Sequence, residues 1–156
     1  MPAKKLKEFL DGEKIQYRVI RHEEAFTAQG IAASAHIPGR ELAKTVMVKL
    51  DGRMAMAVLP ASYKVNFKLL KEVSGAKRAE LASEQEFKDM FPECAIGAMP
   101  PFGNLYGIDV FVAQTLTGNE MIAFNAGSHI ELIRMSYNDF ERLVQPKTLK
   151  FSVQAA

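Results

Sequence analysis

The sequence predicts an α+β protein in which helices surround a mixed, barrel-like β-sheet of about seven strands. Two observations lead to this class: the apolar runs are short enough for strands, and the helical segments between them follow no regular strand–helix–strand order. With 156 residues, 48% of them apolar, the chain can bury a core of its own. We expect one domain over residues 1–156, with a weakly ordered tail at 147–156.

The clearest predicted element is a β-hairpin in the first half of the chain. Apolar runs at 42–50 and 53–60 flank Asp51-Gly52, a pair that readily adopts the positive φ angles of a tight turn. Because both runs are apolar almost throughout, we expect the hairpin to be covered on both faces. Lys44 stands at its open end, where a strand-end charge held in water and an anion site both fit the position.

The remaining elements follow from capping residues and periodicity. Helices are predicted over residues 2–11, 27–35, 67–73, 84–90 and 137–143. Further strands are predicted over residues 16–21, 77–81, 108–113, 121–124 and 130–135. Between them, residues 95–103 form a loop in which two glycines bracket Pro100-Pro101. Such a loop is stiff, and its glycines let backbone approach a ligand closely.

Composition excludes several classes of function. A net charge of +2 argues against holding long duplex nucleic acid by charge alone, but leaves room for a few local phosphate contacts. Cys94 is the single cysteine, so neither an internal disulfide nor a cysteine-based zinc site is expected. His22, His36 and His129 lie on separate segments without the spacing of metal ligands. With no apolar run of membrane-spanning length, we expect a cytoplasmic protein without a metal or a cofactor.

The usual catalytic motifs are also missing. The chain has no Gly-x-Ser-x-Gly elbow, Walker loop, Gly-x-Gly-x-x-Gly or His-Glu-x-x-His. A lysine at a strand end, a stiff glycine-proline loop and small polar turns remain. These groups can bind an anion and a carbonyl oxygen, but they offer no evident general base. Lys64, Lys68 and Lys71 fall along one face of their segment, where a solvated surface is the default interpretation and a phosphate-facing stripe the alternative.

The order of these features resembles the YbaK/prolyl-tRNA-synthetase-associated editing domain family from about Leu6 to Leu143. No single motif is specific, but all of them in order make a strong match. The motifs are His22 with Thr27, Leu42-Ala43-Lys44-Thr45-Val46, Leu59-Pro60-Ala61, Ala82-Ser83-Glu84, residues 97–103 and Asn125-Ala126-Gly127. The resemblance implies a trans-editing hydrolase that deacylates mischarged aminoacyl-tRNA carrying a small amino acid, often on tRNA for proline.

The resemblance also implies which residues act. Lys44, Gly97 and Ala98 form the catalytic set: the lysine would hold a phosphate or anchor the 3′-terminal adenosine, and backbone N–H groups of the loop would bind the ester carbonyl. A ribose hydroxyl of the tRNA would help to activate water, which fits the lack of a protein base. The implied substrate-binding residues are His22, Phe26, Thr27, Thr45, Met47, Met99, Pro101, Phe102, Asn125, Gly127, Ser128 and His129. The implied partners are the 3′ end of an aminoacyl-tRNA and, as a second candidate, an aminoacyl-tRNA synthetase, without membrane or DNA.

Two positions depart from the family pattern. Thr45 stands where some members have asparagine, and Asn125 follows Phe124 where some have a histidine. Two alternatives therefore stay open: a non-hydrolytic module that binds a nucleotide or an RNA 3′ end, and an unrelated small-ligand protein of the same architecture. The residues decide neither the amino acid nor the tRNA.

Overall fold

A computed structural model of the chain describes residues 4–22, 30, 37–92, 94, 95 and 97–154. In this part of the chain the α-helices are α1 (Lys4–Gly12), α2 (Phe67–Ser74), α3 (Glu84–Phe87) and α4 (Tyr137–Val144). Short 3₁₀ turns cover Lys88–Met90, Gly103–Leu105 and Gln114–Leu116. Of the helix predicted at 27–35, residue 30 alone is described, and it is helical; the rest lies outside the described residues.

Ten strands lie within the same described ranges. They are β1 (Tyr17–Arg21), β2 (Leu42–Leu50), β3 (Arg53–Pro60), β4 (Tyr63–Val65), β5 (Ala79–Leu81), β6 (Asp109–Ala113), β7 (Met121–Asn125), β8 (Glu131–Ser136), β9 (Lys147–Leu149) and β10 (Ser152–Gln154). Seven follow one another across the main sheet in the order β1-β8-β7-β2-β3-β6-β9, and β5 also pairs with β2. The pairs β2–β7, β3–β6 and β6–β9 are parallel, whereas β2–β3, β2–β5, β7–β8 and β1–β8 are antiparallel. This mixed sheet with its helices confirms the predicted α+β class.

The β2–β3 hairpin forms as predicted. Leu50 pairs with Arg53, which leaves a two-residue loop of Asp51 and Gly52. Their φ angles of 52° and 83° are the positive values that a type I′ turn needs at both positions. Residues 55–60 of β3 are all buried, so the hairpin is covered on both faces.

Two apolar clusters divide the interior between the faces of the hairpin. The larger one contains Met47, Met56 and Val58, together with buried residues of α1 and α4. The second lies under α2, where the fully buried Leu70 meets alternate residues of the hairpin such as Val48. Because side chains alternate along a strand, each cluster takes every second residue of β2 and β3. Helix α2 therefore covers one face of the hairpin.

The C-terminal segment corrects one prediction, since residues 147–156 were expected to be weakly ordered. Lys147–Leu149 pairs with β6, and Ser152–Gln154 pairs with β4. Phe151 lies fully buried between them in the cluster under α2, and its carbonyl accepts the N–H of Asn66 at 2.8 Å. Burial of one large aromatic side chain, about 2 kcal/mol or more, holds this otherwise polar segment in place.

Candidate active site

The candidate site lies where β2 and β7 separate. The two strands pair in parallel at two positions, the second of which joins Ala43 to Phe124. Lys44 and Asn125 are the next residues of the two strands, so they flank the gap that follows. Strand β2 next meets a neighbour on this side at Met47, whose carbonyl accepts an N–H from the segment before α3 at 3.0 Å. In the part of the chain that the structure describes, the intervening edge of β2 has no strand partner.

Lys44 carries a half-buried ammonium group at this gap. Its Nζ donates to the backbone carbonyl of Ala61 over 3.4 Å, and no carboxylate among the described residues forms an ion pair with it. Burial lowers the pKa of Lys44 from its ordinary value, because desolvation disfavours the charged form. An anionic ligand would supply the missing counter-charge. The role of Ala61 was not predicted, because a backbone carbonyl leaves no signal in the residue type.

The glycine-proline loop contains a tight turn at Gly97. The N–H of Ala98 donates to the carbonyl of Ala95 at 3.0 Å, which makes a four-residue turn with Gly97 third. Gly97 has a φ of 85°, the positive angle that a type II turn requires at this position. A glycine is therefore needed here for conformation alone, whatever else it does.

Two backbone hydrogen bonds fix this turn to the polar turn after β7. Ala95 N–H donates to the carbonyl of Gly127 at 2.8 Å, and Gly127 N–H donates to the carbonyl of Ala98 at 2.9 Å. The paired bonds hold the two turns in one fixed relation. Gly97 and Gly127, predicted as site residues from distant parts of the sequence, are thus brought together.

The two described histidines of the predicted site lie beside this junction. A Cβ added at Gly97 would be 3.6 Å from Cε1 of His129, so the imidazole borders the exposed glycine. The N–H of His22 donates to the carbonyl of Ile130 at 3.0 Å, which places the end of β1 against the same turn. Ser128 Oγ accepts from the N–H of Ile130 at 3.4 Å, a contact that shapes the turn itself.

The catalytic assignment of Ala98 conflicts with the geometry of the loop. The N–H of Ala98 already donates a hydrogen bond to the carbonyl of Ala95, so this N–H cannot also bind an ester carbonyl unless the turn opens. Gly97 remains the candidate from this loop, and its contact with substrate stays a prediction.

Thr45 and Lys44 project to opposite faces of the sheet. Successive side chains of a strand alternate, so Thr45 shares its face with Met47 and the larger cluster, whereas Lys44 shares its face with Val46 and Val48. The two side chains could contact one ligand only where it passes around the open edge of β2.

Several predicted pocket residues are buried in the core. Met47 and Met99 are 3% and 5% exposed, and Pro101 is also buried. Phe102 is fully buried, with its ring centroid 5.5 Å from those of Phe124 and Phe140. This packing favours a role in supporting the loop, and substrate contact by these four residues stays a prediction. Phe26 and Thr27 lie outside the described residues.

The cavities recorded among the described residues lie away from the candidate site. Three cavities, of about 620, 220 and 920 Å³, border the hairpin turn or β6 and contain none of the predicted site residues. Within the described ranges no group of three His, Cys, Asp or Glu side chains could hold a metal ion. No helix in that part of the structure is long and apolar enough to cross a membrane.

Residues 22–143 match the model of the aminoacyl-tRNA editing domain. The matched region covers most of the chain and includes Lys44, the loop at Gly97 and the turn at Gly127. The chain therefore belongs to the aminoacyl-tRNA editing domain family, as its motifs predict, and its class is that of the aminoacyl-tRNA deacylases.

Individual relatives carry names that belong to aminoacyl-tRNA editing. The chain is 28% identical to the Multifunctional Ser/Thr-tRNA deacylase ProXp-y of Escherichia coli K12, over 91% of this chain and 87% of that protein. It is 24% identical to the Prolyl-tRNA editing protein ProX of Acetoanaerobium sticklandii, over 87% of this chain and 86% of that one. A solved structure of a candidate trans-editing enzyme for prolyl-tRNA synthetase superposes with a TM-score of 0.81 and 13% identity, over 99% of this chain and 97% of the other. That likeness confirms the fold.

Proposed function

We propose that the protein hydrolyses the ester bond joining a small, wrongly attached amino acid to tRNA, and releases the free amino acid and the intact tRNA. The observation that carries the proposal is the half-buried ammonium of Lys44, which meets one backbone carbonyl and no carboxylate among the described residues. A charge of this kind, at a strand edge that has no strand partner among the described residues, suits a phosphate or the 3′-terminal nucleotide.

The loop at Gly97 is proposed to act on the other end of the ester. Gly97 is exposed and held by the paired hydrogen bonds between the loop and Gly127. A backbone N–H in so rigid a loop can stabilise the oxyanion that develops on the carbonyl without first reorganising. A ribose hydroxyl of the tRNA beside the ester is proposed to relay a proton: it accepts one from the attacking water and passes its own to the ribose oxygen that leaves. The water oxygen bonds to the carbonyl carbon as the ester C–O bond to that ribose oxygen breaks, which gives the free amino acid and a tRNA that has regained its hydroxyl.

Asn125 is proposed to contribute to the choice of substrate. Its Oδ1 is buried and has no hydrogen-bond partner among the described residues, and a buried acceptor left in this state costs about 1–3 kcal/mol. A hydroxyl or amino group of a bound ligand would satisfy it. Because one relative is named a Ser/Thr-tRNA deacylase, we propose seryl-tRNA as the first substrate to test, then threonyl- and alanyl-tRNA. Proline tRNA is the proposed carrier.

The test is deacylation of a panel of mischarged tRNAs by the wild type and by Lys44→Ala. The panel contains Ser, Thr, Ala and Cys on tRNA for proline, and Ser and Thr on other tRNAs. We expect the wild type to release one or two of these amino acids, and Lys44→Ala to release none above the rate in buffer. If folded wild type turns over no member of the panel, the proposed hydrolysis is wrong.

A non-hydrolytic module that binds an RNA 3′ end is the second candidate. It is favoured by the turn at Ala98, whose N–H is engaged and so leaves the loop one donor fewer for an oxyanion. Tight binding of aminoacyl-tRNA with no increase in its rate of hydrolysis would support this candidate over the first.

A further inference from the structure

The segment that follows the hairpin carries most of the excess positive charge of the protein. Residues 63–78 contain five lysine or arginine side chains and one acidic side chain, a net charge of +4. Since the whole chain carries +2, all the other residues together carry −2. We call the five cationic residues the basic ridge: Lys64, Lys68, Lys71, Lys77 and Arg78.

The basic ridge faces away from the sheet. Lys64 is exposed between Tyr63 and Val65, which pack against the cluster under α2. Lys68 and Lys71 are exposed on α2, whose opposite side buries Leu70 against the hairpin. Residues three apart on a helix are neighbours, so these two lysines lie side by side.

Little of this charge is neutralised within the described structure. Arg78 forms an exposed ion pair with Glu80 at 3.6 Å, but none of the four lysines has an ion-pair partner among the described residues. Glu72, one turn from Lys68, is exposed and makes no such pair in that part of the chain either. The four ammonium groups are therefore available to phosphates.

The ridge begins next to Lys44 and follows one side of the hairpin. Strand β4, with Lys64, starts two residues after Ala61, the residue whose carbonyl accepts from Lys44 Nζ. After α2 the chain returns to the hairpin turn, where Asp51 Oδ1 accepts the N–H of Lys77 at 3.0 Å. Lys44 lies on the same face of the sheet as the cluster beneath α2, so the ridge and Lys44 share one side of the protein.

We propose that the basic ridge binds the phosphate backbone of the tRNA acceptor stem and leads the RNA away from Lys44. This inference rests on the proposed function for the position of the RNA 3′ end. Helix α2 has eight residues and is about 12 Å long. By the spacing of about 3.4 Å of axis per phosphate along one strand of double-stranded DNA, a helix of this length spans about three or four phosphates of a strand.

The test compares two triple variants that remove the same charge. The ridge variant carries Lys64→Gln, Lys68→Gln and Lys71→Gln, and the control carries Lys4→Gln, Lys14→Gln and Lys88→Gln, all exposed positions elsewhere. We expect the ridge variant to bind uncharged tRNA at least about tenfold more weakly, with the slope of log affinity against log salt reduced by about two. The control variant should stay within about twofold of the wild type.

A short substrate separates this proposal from the proposed function. The ridge variant should lose kcat/KM on aminoacyl-tRNA but keep it on an aminoacyl-adenosine, which does not reach the ridge. Turnover by the wild type with equal effects of the two triple variants would overturn the ridge and leave the hydrolysis standing. Ridge-dependent binding of tRNA without turnover would support the ridge and refute the hydrolysis. Displacement of tRNA by polyglutamate at equal charge concentration would show a surface for acidic chains in general and overturn the assignment to RNA.

Discussion

Lys44 and Lys49 lie on the same strand, five residues apart, and differ in their partners and in the direction in which their pKa is shifted. Lys49, at the turn end of the hairpin, donates to the carboxylate of Glu86 and also lies 3.8 Å from that of Glu80. The hydrogen bond to Glu86 is the largest cause that raises the pKa of Lys49. Lys44, at the open end, has a backbone carbonyl instead, and burial lowers its pKa.

The charge of Lys49 is compensated by carboxylates of the protein itself, whereas that of Lys44 is left for a ligand to compensate. Lys49 joins β2 to the first turn of α3, which explains its presence without any function. Lys44 is desolvated without a compensating carboxylate in the described structure, an arrangement that costs stability and is common at functional sites. Residue type alone does not distinguish the two, because both are lysines within the apolar segment 42–50; the position at the open end and the family motif single out Lys44.

The largest expected effect comes from exchanging each lysine for alanine. Lys44→Ala should lower kcat/KM for aminoacyl-tRNA by about 30-fold or more, since losing a charge-assisted contact in a desolvated site costs about 2–5 kcal/mol. Its free energy of unfolding should change by less than about 1 kcal/mol, because the ammonium makes a single long contact in the fold. Steady-state deacylation and urea unfolding measure the two quantities.

Lys49→Ala is the matched control for this prediction. It should leave kcat/KM within about twofold of the wild type and lower the urea midpoint slightly, because Glu86 loses its cation and Glu80 keeps only Arg78. Equal losses of activity in the two variants would remove the distinction between the ends of β2.

Two glycines of the protein share a backbone conformation but not a location. Gly97 and Gly75 have φ angles of 85° and 78°, and Gly75 ends α2, far from the loop in sequence. Alanine at either position should cost about 1–2 kcal/mol in the free energy of unfolding, the penalty of a left-handed conformation. The new Cβ at Gly97 would make an ordinary contact with His129, and none within 4 Å at Gly75.

Activity should then distinguish the two positions. Gly97→Ala should lower kcat by about tenfold, because a methyl group would stand where the ester is proposed to approach, whereas Gly75→Ala should keep the wild-type kcat. The measurement is single-turnover deacylation at a temperature where both variants are folded. Wild-type kcat in Gly97→Ala would exclude the loop from the mechanism.

The predictions made from sequence succeeded where the structure is local. The Asp51-Gly52 turn forms as expected, and the helix predicted at 84–90 begins where expected, with a capping box in which Ser83 Oγ accepts the N–H of Glu86 at 3.3 Å. Each depends on residues within four positions of one another, so the sequence pattern is sufficient. The motif order also predicted the family, and the turns at Gly97 and Gly127 that it singled out lie together in the structure.

Long-range contacts and backbone hydrogen bonds could not be predicted from the sequence. The pairing of β4 with β10 joins residues near 64 to residues near 153, and the buried Phe151 gave too short an apolar pattern to predict it. The hydrogen bond that occupies the Ala98 N–H is equally invisible, because every residue type except proline has that donor. The sequence also could not show that the two glycines of the loop are needed for different reasons. Gly97 is needed for its positive φ, whereas a Cβ at Gly103 would lie 2.4 Å from the carbonyl oxygen of Ile108, so Gly103 is needed for close packing.

The smallest expected effect is a pH dependence that only the Lys49 end of β2 should show. Hydrogen bonds from Lys49 and from the backbone of Ser83 lower the pKa of Glu86 from 4.5 to about 2. A carboxyl group whose pKa is lower in the folded state stabilises the fold above its ordinary value, and loses that contribution as the pH falls from about 4.5 towards 2. Glu86→Gln should therefore show a flatter decline of the urea midpoint over this range than the wild type. Glu84→Gln, an exposed neighbour on the same helix, and Lys44→Ala should both retain the wild-type slope. A wild-type slope in Glu86→Gln, or a flattened one in Lys44→Ala, would contradict the division between a paired and an unpaired end of the strand.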